Sequence, residues 1–203
     1  MHCSRGIFVV LEGIDGTGKS TLVKTLAKRL GENKRTVHET FEPTATWLGD
    51  AVRRSWKENV DPRTEALLFV ADRCEHTLKI EQWLQGGNWV ISDRYRDSSC
   101  AYQGAYLSKE MGVARACEWV DHLHEGTALE PDLVIIIDAP PKITLARLEE
   151  RDKLEKFEKQ GYLETVRAVY LHLASKKGRH LVDGTRSLND VADDCWSLME
   201  KYL

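Results

Sequence analysis

The stretch FVVLEGIDGTGKSTL, Phe8 to Leu22, constrains the fold more than any other part of the chain. An apolar run leads into glycines at 13, 16 and 18, followed by Lys19 and Ser20, and the spacing fits G-x-x-x-x-G-K-[ST]. Glycines allow the positive-φ turns that bring several backbone N–H groups around one anion. A helix starting near Lys19 aims its positive end at the same point. The stretch therefore demands a strand, a phosphate-cradling loop and a helix in immediate succession. Gly13, Ile14, Asp15, Gly16, Thr17, Gly18, Lys19, Ser20 and Thr21 make up the cradle, with Lys19 placed to reach β- and γ-phosphates and Ser20 to ligate Mg²⁺.

Four further strand-like runs follow at 36–41, 88–93, 133–138 and 179–183, short and rich in β-branched or aromatic residues. Near-continuous apolar runs imply strands covered on both faces, and alternation with helical stretches implies a parallel sheet. The expected fold is α/β: a doubly wound, five-stranded parallel sheet with helices on both faces, of the P-loop NTPase type. Asp61-Pro62 reads as the cap and first turn of a long helix running to about Gln85, where Gly86-Gly87 ends it. Two more helices are expected at about 99–124 and 156–176. In an open sheet of this kind ligands sit beyond the carboxyl ends of the strands, so the polar segments after each strand should converge.

A chain of 203 residues with 42% hydrophobic residues builds one core, and its net charge of −3 gives no reason to expect a nucleic acid polymer as partner. No apolar run approaches the roughly 20 residues of a membrane span, and the first strand begins too early for a signal peptide, so the expectation is a soluble cytoplasmic protein without membrane partners. The cysteines at 3, 74, 100, 117 and 195 lack C-x-x-C spacing and read as free thiols.

A phosphate loop serves small-molecule kinases, regulatory GTPases and assembly ATPases alike. The guanine-reading N-K-x-D is missing, since Asn33-Lys34 is followed by Arg-Thr, and the only D-x-x-G lies inside the loop itself. Asp93 closes an apolar strand but is followed by Arg94 rather than Glu, which points to an acceptor phosphate close to Mg²⁺.

With LEGIDGTGKST, LLFVADR (67–73), ISDRYRDSSCAYQG (91–104), PDLVIIID (131–138) and DGTRSLNDV (183–191) in this order, the chain resembles the thymidylate kinase family over nearly its full length. The resemblance implies transfer of a phosphoryl group from MgATP to the small molecule dTMP, in a single kinase domain spanning 1–203. It implies that Asp15 lies at the acceptor's 3′-hydroxyl and phosphate, that Phe69 stacks on thymine, and that Arg73 hydrogen-bonds the base edge. Asp93 holds Mg²⁺ with Ser20, and Arg94 clamps the acceptor phosphate. Ser99 and Gln103 line the base, Tyr102 crowds the sugar 2′ position, and Thr185 and Arg186 join the ATP side. The charge-dense segment at about 147–159 matches a short mobile lid. Because Gly16 leaves the loop without the basic residue that one branch of the family carries there, Arg147 and Arg151 are expected to supply the catalytic cation, and an arginine installed at 16 is expected to substitute in part.

One departure stands out. The family commonly reads Arg-Glu-Pro after the second strand, whereas this chain reads Phe41-Glu42-Pro43, so either Arg53, Arg54 or Arg96 replaces the missing cation or the acceptor pocket itself differs. The resemblance also implies a homodimer, with Trp47, Trp56 and Trp83 as candidates for burial between subunits.

Overall fold

The computed structural model describes residues 5–149 and 160–203. Five strands, β1 (Phe8–Glu12), β2 (Val37–Phe41), β3 (Trp89–Asp93), β4 (Leu133–Asp138) and β5 (Arg179–Asp183), form one all-parallel sheet in the order β2-β3-β1-β4-β5. Between them run α1 (Lys19–Glu32), α2 (Trp47–Glu58), α3 (Pro62–Gln85), α4 (Arg96–Met111), α5 (Val113–Leu123), α6 (Pro141–Glu149) and α7 (Gln160–Ala174), and α8 (Leu188–Met199) follows β5.

Alternation along β1 shows why the sheet needs two helical layers. Phe8 and Val10 pack with Ile80 and Leu84 of α3, Cys100 of α4, Val120 of α5 and Val166 of α7, while Val9 and Leu11 pack with Leu22 and Leu26 of α1 and Cys195 of α8. Burial on both faces holds for β1, β3 and β4. The edge strands differ: Leu181 of β5 is exposed and β2 is only half covered, because each has a neighbour on one side alone. Among the described residues no helix is long and apolar enough to cross a membrane.

The long helix keeps its expected bounds. Asp61 accepts from the Arg63 N–H at 2.8 Å and Pro62 occupies the first turn, where its missing donor costs nothing. The helix expected over 99–124 is instead two, α4 and α5, broken at Gly112, whose φ of +80° reverses the chain direction. Cys74, Cys100, Cys117 and Cys195 are free thiols. The three tryptophans have separate surroundings: Trp47 is exposed, Trp56 is half-buried, and Trp83 stacks on His38 with ring centroids 4.5 Å apart.

Candidate active site

The loop after β1 wraps a helix end that no side chain caps. Gly18, at φ +91°, precedes α1, and no acidic residue stands in the first turn, so the free N–H groups and the helix dipole favour an anion. Lys19 is buried, and its Nζ donates to the Ile14 carbonyl at 2.9 Å. Burial, joined by the neighbouring Arg94 charge, pushes its pKa down to about 8, against the pull of Asp93 and Asp15. Gly16 has a stricter role than the absence of a base. At φ +83° a Cβ there would come within 2.5 Å of the Thr144 carbonyl on α6, so an arginine at 16 would be strained in this backbone and would require α6 to shift.

A cavity of about 580 Å³ opens over the loop, walled by Gly16, Gly18, Lys19, Ser20, Thr21 and Asp93 among others. A second, of about 270 Å³, lies beside it, with Phe69, Arg73, Tyr102 and Gln103 in its wall. Asp15, Phe41, Glu42 and Arg94 belong to both. At this junction Arg94 pairs with Asp15, donates to the Tyr102 hydroxyl at 3.1 Å and lies over the Tyr102 ring. The Tyr102 hydroxyl donates to Asp15 at 3.0 Å. Burial would raise the Asp15 carboxyl, but Arg94 and Lys19 hold it below its ordinary value. Arg94 has a φ of +71°, an unfavourable region for a residue with a Cβ. It is kept there by its N–H to the Leu11 carbonyl at 2.9 Å and by the Ser92 hydroxyl on its own carbonyl at 2.7 Å.

Ser20 donates to Asp93 Oδ2 at 2.5 Å, while Asp93 Oδ1 is buried with no hydrogen-bond partner. A hard divalent cation wants such an oxygen. Among the described residues no group of three or more His, Cys, Asp or Glu could hold a metal ion.

Other expected residues land elsewhere. Ser99 lines neither cavity; it is buried and accepts from Arg73 at 3.1 Å. Arg73 reaches the wall of the second cavity, but each of its nitrogens already has a protein partner. Nε and one terminal nitrogen meet Glu42 at 2.8 and 2.6 Å, that same nitrogen donates to the Tyr95 carbonyl, and the other meets Ser99 and His124. His124 donates from Nδ1 to the Val120 carbonyl at 2.8 Å, which leaves Nε2 to accept from Arg73. Thr185 donates to Asp183, and Arg186 pairs with Asp183 and Asp194, both away from the cavity walls. Arg147 donates to the carbonyls of Gly184 and Thr185 at 3.0 and 3.3 Å. Arg151 and most of the expected lid lie outside the described residues. Ser98 and Glu12 stand inside the motifs yet carried no expected role, and Trp56, expected as a subunit contact, stands in the second wall; Ser98, Glu12 and His124 are brought to the site through distant tertiary contacts.

A family model described as thymidylate kinase matches residues 11–195. This chain belongs to the thymidylate kinase family. It is 40% identical over 200 residues to a probable thymidylate kinase of Pyrobaculum aerophilum, covering 97% of each chain. It is 37% identical to a probable thymidylate kinase of Methanococcoides burtonii, covering 94% of each, and 36% identical to a thymidylate kinase of Thermosipho africanus, covering 97% of this chain and 99% of the relative. Against the thymidylate kinase pattern, the departure at Phe41 now has a location: the ring is half exposed at the junction of the cavities. Of the three arginines that could compensate, only Arg53 stands in the wall of either of these two cavities, donating to the Pro43 and Thr44 carbonyls at 3.1 and 2.6 Å. Arg54 pairs with Glu58 and Arg96 with Glu130.

Proposed function

We propose that this chain is a thymidylate kinase that moves the γ-phosphoryl group of MgATP to dTMP, giving dTDP and ADP without a covalent intermediate. The observation that carries the reading is the meeting of a phosphate-cradling cavity and a second, aromatic-walled cavity at one Asp15–Arg94 pair. ATP phosphates fit over the loop, with Lys19 against the β- and γ-oxygens. The nucleoside monophosphate fits the second cavity, its base against Phe69 and Gln103, its sugar by Tyr102 and Asp15, its phosphate held by Arg94 and Arg53. Ser20 and Asp93 would hold Mg²⁺, which when bound neutralises donor phosphate charge. In-line transfer between two anions needs little covalent chemistry from the protein, so placement and cations supply the catalysis. Arg151 takes the lid's cationic role in this reading, since the Arg147 guanidinium is engaged by two backbone carbonyls.

The working unit is a homodimer. Leu67 and Leu78 are exposed and, with the half-buried Ala71 and Cys74, form a stripe with 4-3-4 spacing along α3, the pattern of a helix that packs on another.

ADP release measured with dTMP, dUMP, dCMP, dGMP and deoxythymidine as acceptors tests the reading. Strong stimulation by dTMP is expected. Preference for another acceptor would make the chain a kinase of a different nucleotide or nucleoside, and slow release indifferent to acceptor would make it an ATPase or GTPase switch.

A further inference from the structure

Beneath Arg94 lies a buried acid to which the transfer chemistry assigns no task. Glu12 closes β1 with no exposed surface, and four donors meet it. The Tyr95 and Ser98 N–H groups reach Oε1 at 2.9 and 3.1 Å, so Glu12 caps the start of α4 from another element. The Ser98 and Tyr170 hydroxyls donate to Oε2 at 2.6 and 2.9 Å. Arg94 in turn donates to those same two hydroxyl oxygens, at 3.0 Å to Ser98 and 3.3 Å to Tyr170.

Each hydroxyl has one proton. The two hydroxyl oxygens also lie 2.9 Å from each other, where either could donate; with both protons committed to Glu12 instead, both oxygens turn lone pairs toward the guanidinium, and the bonds that join them to Arg94 and to Glu12 all run from Arg94 to Glu12. We propose that Glu12, acting through the hydroxyls of Ser98 and Tyr170, is the positioning residue that orients Arg94 toward the acceptor phosphate. The proposal rests on the reading of Arg94 given above. The left-handed backbone of Arg94 brings the side chain to the junction, and the relay sets how its fork is turned there, leaving one terminal nitrogen for Asp15 and Tyr102. Burial, joined by the nearby Asp97 charge, lifts Glu12 to about 7, so holding this carboxylate ionised costs free energy that the Arg94 charge helps to offset.

Tyr170→Phe is the informative variant, because Tyr170 lines neither cavity and its loss leaves both backbone contacts of Glu12 in place. Steady-state kinetics should show the acceptor KM raised about ten-fold, the scale of a hydrogen bond to a charged group, with the donor KM within two-fold. Ser98→Ala should behave similarly, and Glu12→Gln, if it folds by thermal melting, should match the pair. In an Arg94→Ala background Tyr170→Phe should add nothing, since the relay then has nothing to orient. A further loss of equal size in that background, or unchanged acceptor kinetics in Tyr170→Phe, overturns the relay while leaving Arg94 in its role. Normal kinetics in Arg94→Ala itself would instead remove the reading of Arg94, and the relay with it.

Discussion

At Gln103 a single hydrogen bond decides what the second cavity can recognise. The side chain is buried in its wall, Nε2 donates to the Glu65 carboxylate at 2.9 Å, and Oε1 is buried with no hydrogen-bond partner. With Glu65 accepting from the amide nitrogen, the amide faces one way, and under the proposed function its carbonyl would meet the ligand. An acceptor there suits the N3–H of thymine or uracil and opposes the bare N3 of cytosine, which would leave two acceptors facing each other. Glu65→Gln should let the amide turn. We expect the dTMP-over-dCMP ratio of kcat/KM to fall by about ten-fold or more, measured with the two acceptors side by side; an unchanged ratio would show that Glu65 does not set the amide. On the proposed function Gln103 would share the discrimination expected of Arg73, since both stand in the wall of the second cavity. The LLFVADR motif identified Arg73 as a cavity residue, yet its nitrogens are occupied by Glu42, Tyr95, Ser99 and His124, from segments that no local spacing links to it.

Among the elements, α3 would serve the proposed function with two different faces. Phe69 and Arg73, one turn apart, stand in the wall of the second cavity, while Leu67, Ala71, Cys74 and Leu78 run along the outer side. If the parent sediments as the proposed homodimer, replacing Leu67 and Leu78 together by Glu should halve its mass and leave a folded monomer, because both side chains are exposed in the single chain. An unchanged mass would place any dimer contact elsewhere. The bounds of α3 were legible because caps are local chemistry, with Asp61 and Pro62 at one end and glycines at the other. The five strands were legible for a similar reason, each a short apolar or β-branched run beside a turn signal. The α4–α5 break was not, since a single Gly112 inside an apolar helical pattern gives no sign that its φ will be positive. Nor was the place of α6 against Gly16, which depends on how the β4 connection packs over the loop rather than on either sequence.

For the molecule as a whole, two buried groups should give stability an unusual dependence on pH. His124 falls from its ordinary 6.5 to about 3, through burial first and the Arg73 charge second, so the folded chain keeps it neutral while the unfolded chain takes up a proton below 6.5. Its contribution is complete above 6.5 and is lost as pH falls toward 3. Glu12 rises from 4.5 to about 7, so its contribution is complete below 4.5 and is lost as pH rises through 7. Between 4.5 and 6.5 the unfolded chain holds one proton on His124 and the folded chain one on Glu12. The two states bind equal numbers of protons at these sites, and the slope of stability with pH vanishes. Below that window the unfolded chain binds the extra proton and stability declines with acid; just above it the folded chain does, and stability declines with base. Asp15 acts below the window and Lys19 above it. His124→Gln removes one side of the balance. Urea unfolding of that variant from pH 4.5 to 6.5 should show stability falling with rising pH relative to the parent, by about 1.4 kcal/mol per pH unit. Glu12→Gln should show the opposite slope. Because each comparison with the parent cancels every other titrating group, a flat difference for His124→Gln would mean that His124 is not held neutral against Arg73. Opposite slopes in the two variants would show that the acid beneath Arg94 and the imidazole beside Arg73 balance one another across the fold.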